Sequence, residues 1–208
     1  MEITMYVNKY KKARYNFFHW RYELNFIYKI SLAFCFACLT GILAQLRFYL
    51  PGTPVPVTGQ VFGILLAGIL LGKYGGISQF MYVGIGALGV PWFSGFNAGF
   101  VYLAGPTGGY IIGFIIAAFF IGFIVDRYIK SRNFFSMVSL MLFSTFFLIY
   151  IPGLIHLYLW FGSSIGIWEL LTIAVLPFIA ADIIKTIIVA LIATGITPKI
   201  AYGREVDA

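Results

Sequence analysis

The sequence predicts an all-α membrane protein, folded as a bundle of six transmembrane helices with both termini in the cytoplasm. Three observations support this: 61% of the 208 residues are hydrophobic, only 10% are charged, and the mean hydropathy is +0.94. A soluble domain normally has about a quarter charged residues, and a chain this apolar cannot stay solvated as a disordered polymer. Cys35 and Cys38, both in one apolar run, are too few for a disulfide framework or a four-ligand metal site.

Each predicted helix corresponds to an apolar stretch between charges or turn residues. The stretches cover approximately residues 30–46, 58–72, 77–90, 108–125, 134–160 and 170–196. A straight span needs roughly 20 apolar residues, so the second and third stretches are short, whereas the fifth and sixth have residues to spare. Lys73 to Gly76 separates the second from the third and predicts a tight turn.

The positive charges predict the orientation. Of 14 Lys and Arg residues, all except Arg47 and Lys185 fall on the side of the bundle that carries both termini. By the positive-inside rule that side is cytoplasmic, and orientation together with anionic lipid explains the net charge of +7, so no nucleic-acid partner is expected. The chain divides into a cytoplasmic basic and aromatic segment (1–29), the bundle (30–196) and a short cytoplasmic tail (197–208). We expect the first segment to lie at the membrane interface; a partner-binding arm is the alternative.

Two outer loops are predicted to enclose a pocket. Residues 91–107 carry no charge but many aromatic rings, and irregular backbone this apolar is tolerated at a membrane only when it packs on protein or lines a cavity. Residues 51–60 contain three prolines that hold the segment extended, and Thr58 and Gln60 offer hydrogen bonds where the next helix begins. This segment is either a stiff connector with a capping threonine or a gate over the pocket.

Small residues recur at helical spacing in the first span, where Ala33, Ala37 and Gly41 share a face. Helices in lipid associate through close van der Waals contact, which such faces allow. Both internal packing of the bundle and docking of another membrane subunit fit this pattern.

Asp182 and Lys185 are an acid and a base predicted to lie deep in the last span. At spacing i, i+3 they share one helical face. An uncompensated charge at the bilayer centre costs about 3 kcal/mol, so both side chains should face the protein interior or a cavity. They either form a closed ion pair that locks the helix into the bundle or hold a polar ligand, with the carboxylate accepting N–H donors and the ammonium facing an anionic or carbonyl group.

The sequence carries no recognisable catalytic or ATP-binding motif. Ser163 and Ser164 have no His and Asp in plausible register for a hydrolytic triad, and GKYGG at 72–76 lacks the spacing of a phosphate-binding loop. The chain is therefore predicted not to be an enzyme, to have no catalytic or metal-binding residues, and to depend on partners for any use of ATP.

Four motifs resemble the BioY proteins, the substrate-binding S components of energy-coupling factor (ECF) transporters for biotin. They are PVPVTGQ (54–60), LLAGILLG (65–72), LAGPTGGY (103–110) and LPFIAADIIK (176–185), and the match runs from about Ile30 to Thr194. The resemblance implies a multi-pass cell-membrane protein that binds biotin tightly from outside. It also implies delivery of biotin inward with a transmembrane coupling subunit and two cytosolic ATPases, with no cofactor in this chain.

The resemblance suggests roles for the candidate residues. Asp182 would accept hydrogen bonds from the ureido N–H groups of biotin, and the Asn97 amide would both donate to and accept from the ureido group. Lys185 would bind the ureido carbonyl or the tail carboxylate. The remaining candidates are an apolar wall and a closing segment: Trp92, Phe93 and Tyr110 for the wall, and Thr58 and Gln60 for the closure. The face of Ala33, Ala37 and Gly41 is similar to the docking surface that S components present to the coupling subunit.

Two features depart from or extend beyond the family pattern. The family usually has Pro-Gly where this chain has Ala180-Ala181, so the helix break expected before Asp182 is not predicted by the residues themselves. The aromatic, basic N-terminal segment lies outside the resemblance. Two alternative functions stay open: an S component for another vitamin, such as riboflavin or thiamine, and a membrane-embedded acyltransferase that uses the buried carboxylate.

Overall fold

The computed structural model describes residues 2–207, with side chains from residue 5 onwards. Ten α-helices dominate this part of the chain, and we number them α1 to α10 in chain order. Their bounds are α1 Glu2–Glu23, α2 Phe26–Gln45, α3 Gln60–Leu71, α4 Tyr74–Ala87, α5 Gly99–Leu103, α6 Gly108–Arg127, α7 Phe134–Phe143, α8 Tyr150–Trp160, α9 Ile167–Ala174 and α10 Leu176–Ile196. The prediction of a mostly helical fold is therefore confirmed.

Four helices in the described range are long and apolar enough to cross a membrane. They are α2, α6, the continuous helix Phe134–Trp160 that contains α7 and α8, and α10. Helices α3 and α4 have 12 and 14 residues, which corresponds to only about 18 and 21 Å at 1.5 Å per residue. The tight turn predicted between them is confirmed, because α3 ends at Leu71, α4 begins at Tyr74, and Gly72 adopts a φ of 61°.

Three features of the secondary structure were not predicted. A short antiparallel hairpin pairs Arg47–Phe48 (β1) with Val57–Thr58 (β2), so the proline-rich segment forms the hairpin's loop. The last apolar stretch is interrupted at Val175, between α9 and α10, whereas Ala180-Ala181 continues the helix. Between α7 and α8, residues Ser144–Ile149 form a π-helical turn.

Glycines bring the central helices into close contact. A Cβ added to Gly68 in α3 would lie 2.9 Å from the Ala118 carbonyl oxygen of α6, and one on Gly113 of α6 would lie 2.6 Å from the Leu148 carbonyl oxygen. Neither position has room for a larger residue unless the backbones separate. Because lipid gives no hydrophobic drive for helices to associate, this close backbone contact is a main source of bundle stability.

The small-residue stripe of α2 is used within the chain. Ala33 and Ala37 have no exposed surface, and a Cβ on Gly41 would lie 3.0 Å from Cβ of Trp92. The structure thus places these residues in internal packing, the first of the two alternatives raised by the sequence. In this conformation the stripe offers no free surface, and its role in docking stays a prediction.

Both chain termini pack together at one end of the bundle, which we call the basic end. Phe18 of α1 is fully buried and its ring lies 5.3 Å from that of Tyr202, while Tyr10 donates a hydrogen bond to the Gly195 carbonyl oxygen. Arg21 pairs with Asp126 at the end of α6, and the Tyr202 hydroxyl donates to the same carboxylate. Hence the N-terminal segment and the tail are both parts of the folded bundle.

A fully buried arginine anchors the C-terminal tail. The Arg132 guanidinium pairs with Glu205 at 2.7 Å, donates to the carbonyl oxygens of Val125, Pro198 and Ile200, and stacks over the Tyr202 ring at 4.3 Å. Burial opposes ionisation of Glu205. The Arg132 guanidinium and backbone N–H groups nevertheless hold the pKa of Glu205 below its usual range.

We predict that Glu205→Gln destabilises the protein by about 3 kcal/mol, because it leaves the buried Arg132 without a counter-charge. The expected drop in unfolding temperature is about 5–10 °C, measured by intrinsic tryptophan fluorescence of detergent-purified protein. Glu23→Gln is the matched control. Its carboxylate forms only an exposed pair with His19, so the loss should stay below about 0.5 kcal/mol.

The same pair predicts a pH dependence. Since the pKa of Glu205 is lowered by folding, its contribution is present above the ordinary glutamate value and disappears as the pH falls through the lower value of the folded state. The Gln variant should therefore lose part of the wild type's acid sensitivity. An unchanged acid transition would contradict this account of the tail.

Candidate functional site

The candidate site centres on Asp182 and Lys185, which form an ion pair on one face of α10. Lys185 Nζ lies 2.6 Å from Asp182 Oδ1, and Asp182 is only 4% exposed. The predicted pairing and inward orientation of the two side chains are therefore present in the structure. Each group also binds a partner from another part of the chain.

Tyr150 is the second partner of the carboxylate. It lies at the start of α8, directly after the π-helical turn, and its hydroxyl donates to Asp182 Oδ2 at 2.6 Å. The Tyr110 ring packs edge-on against Tyr150, with centroids 5.9 Å apart, and the Tyr110 hydroxyl donates to the Ala174 carbonyl oxygen at 3.0 Å. Three helices, α6, α8 and α10, thus position aromatic rings and a carboxylate around one point.

The hairpin supplies the second partner of Lys185. Lys185 Nζ donates to the Thr58 carbonyl oxygen at 2.9 Å, which attaches the proline-rich segment to the ion pair. The Thr58 hydroxyl donates to Gln60 Oε1 and accepts a long bond of 3.4 Å from the Gln60 backbone N–H. Gln60 Nε2 in turn donates to the Tyr82 hydroxyl at 2.8 Å. The N-cap of α3 is Gly59, with no side-chain capping bond, so Thr58 is not the capping residue. Its role in pocket closure stays a prediction.

Trp92 and Phe93 lie behind the wall of the site. The Trp92 indole N–H donates to the Tyr82 carbonyl oxygen, and the fully buried Phe93 ring stacks on Tyr102. Asn97 is exposed, and its amide donates to the Ser94 carbonyl oxygen at 2.7 Å. The structure therefore does not bring Asn97, Trp92 or Phe93 into the cavity, because the loop that carries them turns their side chains into its own packing.

One side chain, Gln45, organises this loop. Its amide oxygen accepts from the backbone N–H groups of Gly95 and Phe96, and its amide nitrogen lies within hydrogen-bond distance of the Trp92 and Phe93 carbonyl oxygens. Irregular backbone near a membrane needs such partners. No sequence pattern indicates this role, since Gln45 is a lone polar residue at the end of an apolar run.

A narrow cavity of about 60 Å³ lies beside the ion pair. Its lining includes Thr58, Gln60, Tyr110, Asp182 and Lys185 from the predicted set, together with residues that were not predicted: Ser94, Tyr102, Thr107, Tyr150 and Phe178. Among the latter, the Ser94 side chain is buried and interacts with the Tyr102 hydroxyl.

The chemistry of the site suits binding rather than catalysis. A carboxylate has about four lone-pair positions and an ammonium has three protons, so Asp182 and Lys185 each keep capacity beyond their observed partners. The residues lining the cavity include no cysteine or histidine. Within residues 2–207 no group of three or more metal-ligating side chains is found.

Comparison with known proteins gives a consistent picture. The BioY family profile matches residues 12–202. A probable biotin transporter BioY of Methanothermobacter thermautotrophicus is 50% identical and aligns with 68% of this chain and 94% of its own length. The biotin transporter BioY of Thermotoga maritima is 36% identical over 69% of this chain and 82% of its own length.

A solved structure shares the fold. The crystal structure of an S component for biotin from an ECF-type ABC transporter superposes with a TM-score of 0.72 at 31% sequence identity, covering 81% of this chain and 89% of that one. The family profile spans most of the sequence, including the second half of α1, the hairpin and the first residues of the tail, so it extends into the N-terminal segment that the sequence motifs left outside the resemblance. On this evidence, the chain belongs to the BioY family.

Proposed function

We propose that this protein is the biotin-binding S component of an ECF-type vitamin uptake transporter, and that it captures biotin from outside the cell. The observation that carries the proposal is the buried Asp182–Lys185 pair, which lies beside a cavity and keeps unused hydrogen-bonding capacity. Relatives named as biotin transporters and a structural neighbour named as an S component for biotin support the same assignment. A transport component of this kind performs no chemistry of its own.

The ureido ring of biotin complements the unused capacity of the pair. We propose that Asp182 accepts from the ring N–H groups, while the third proton of Lys185 reaches the ureido carbonyl or the tail carboxylate. Tyr110 and Tyr150 provide an aromatic surface for the bicycle. We propose that Ser94, which lines the cavity, also hydrogen-bonds the ligand. The Asn97 amide binds the Ser94 carbonyl oxygen, and Trp92 and Phe93 would support the wall from behind.

Biotin needs more room than the narrow cavity offers, so entry requires movement. The hairpin is the element we propose to move, because Lys185 holds it by a single bond to the Thr58 carbonyl oxygen. We propose that this bond opens to admit biotin and re-forms once the third Lys185 proton binds the ligand. Thr58 and Gln60 would then close over the bound vitamin.

The membrane arrangement and partners extend the same proposal. We propose six crossings, with α3 and α4 as two short spans and both termini cytoplasmic. The packing of α1 and the tail at the shared basic end supports an even number of crossings. The chain would work in the cell membrane with a transmembrane coupling subunit and two cytosolic ATPases, with biotin as ligand and no cofactor of its own.

We predict that Asp182→Asn weakens biotin binding at least about tenfold, because a neutral amide oxygen is a weaker acceptor than a carboxylate, and a charged hydrogen bond contributes about 1.5–3 kcal/mol. Equilibrium binding of labelled biotin to detergent-purified protein measures the effect. Glu169→Gln, which alters an exposed carboxylate, should bind like the wild type. Excess riboflavin and thiamine should not displace biotin.

Well-folded wild-type protein that binds no biotin would refute the assignment. Displacement by riboflavin or thiamine would instead indicate an S component for another vitamin. Turnover of an acyl donor by the isolated protein would revive the acyltransferase alternative.

We also predict a positioning role for Gln45. Gln45→Leu keeps the volume but removes every bond to the 92–96 backbone, so the wall should loosen and biotin affinity fall about fivefold or more. Gln45→Glu, which can accept but not donate, should lie between Leu and wild type. Leu46→Ala, at the exposed neighbouring position, serves as control. Equal affinity for the Leu variant and the wild type would show that the loop does not depend on this side chain.

A further inference from the structure

A second and larger cavity lies at the basic end, opposite the candidate biotin site. It has a volume of about 380 Å³ and is bounded by the end of α1, the start of α2, the turn between α3 and α4, the end of α6, and the tail. The cations that line it are Arg21, Lys29, Lys73, Arg127 and Arg204. We call it the basic cavity.

The charges of the basic cavity are not balanced within the chain. Asp126 is the carboxylate in its lining, and the buried Arg21 and the Tyr202 hydroxyl already bind that group. In the described part of the chain, the other four cations have no carboxylate within salt-bridge distance, and Lys29 donates only to the Tyr22 carbonyl oxygen. Several cations that line one concave surface focus a positive potential, which attracts an anion.

The remaining walls indicate what kind of anion fits. Leu32, Leu71 and Phe123 provide apolar surface, and Tyr22 and Tyr74 provide rings. Lys29 lies in the first turn of α2, and Phe123 and Arg127 lie in the last turns of α6, so the cavity occurs where two membrane-spanning helices end. Basic side chains at this depth meet phosphate headgroups, and neighbouring apolar surface meets acyl chains.

We propose that the basic cavity is a binding site for a phosphate group, supplied by the headgroup of an anionic phospholipid. Lys73, Arg127 and Arg204 carry charge that the fold leaves unused, and guanidinium groups can bind phosphate oxygens in a bidentate manner. The buried Arg21–Asp126 pair packs directly against Gly72, where an added Cβ would collide with the carboxylate. This site is separate from the biotin site and does not depend on it.

Native mass spectrometry of the full-length, detergent-purified protein tests the proposal. Dioleoyl phosphatidylglycerol should remain bound at least about tenfold more than dioleoyl phosphatidylcholine. Lys73→Gln combined with Arg127→Gln should remove most of this preference. Lys11→Gln combined with Lys12→Gln removes the same charge from exposed positions on α1, and should change retention less than about twofold.

The single variant Arg204→Gln keeps the test usable if the double variant unfolds, and should reduce phosphatidylglycerol retention about threefold or more. Glycerol 3-phosphate and inorganic phosphate distinguish the source of the group. If they leave the lipid in place, the site requires a lipid. If they displace it at millimolar concentration, the phosphate site stands but soluble phosphates also occupy it. Equal retention of the two lipids, or equal losses in the two double variants, would overturn the proposal.

Discussion

The structure of the candidate site depends on accommodating one carboxyl group inside an apolar bundle. Asp182 is nearly fully buried, and the free-energy cost of removing its carboxylate from water is offset by bonds from the Lys185 ammonium and the Tyr150 hydroxyl. These partners come from its own helix and from α8, and the lysine extends the contact to the hairpin. A single buried charge therefore couples three elements that are distant in sequence, and a ligand that changes its bonds affects all of them.

Buried polar groups find their hydrogen-bond partners in different ways at the two ends of the bundle. Around the candidate site, the loop backbone is apolar and irregular, and Gln45, Tyr82 and Trp92 satisfy its polar groups internally. At the basic end, charged residues are abundant, and those that are buried, Arg21 and Arg132, are paired and hydrogen-bonded. In the described part of the chain, the four unpaired cations of the basic cavity line its surface, whereas the Lys199 ammonium is buried without a hydrogen-bond partner. Both arrangements follow from the cost of leaving a polar group unpartnered away from water.

Much of the architecture follows from the sequence, because hydrophobic length and charge spacing are local properties. The apolar stretches, the turn at Lys73 to Gly76 and the pairing of Asp182 with Lys185 are of this kind. Asn97 illustrates what local reasoning misses: a loop decides which of its side chains face inward, and here Ser94 faces the cavity while Asn97 caps the turn. Tyr150 and Gln45 were missed because their partners lie 32 to 51 residues away. Nothing in an apolar run reveals such contacts.

The π-helical turn at Ser144–Ile149 sets the direction in which side chains of the long helix Phe134–Trp160 point after the turn. Each α-helical residue advances the helix by about 100°, and the wider turn accommodates extra backbone without ending the helix. Everything after the turn is rotated relative to everything before it, so Ile149 and Tyr150 both line the cavity. A one-residue deletion within the turn could restore a regular helix and yet direct Tyr150 away from Asp182. The length of this span beyond what a crossing needs is therefore used at the turn to set the direction of Tyr150. The span can tolerate changes of sequence outside the turn more easily than within it.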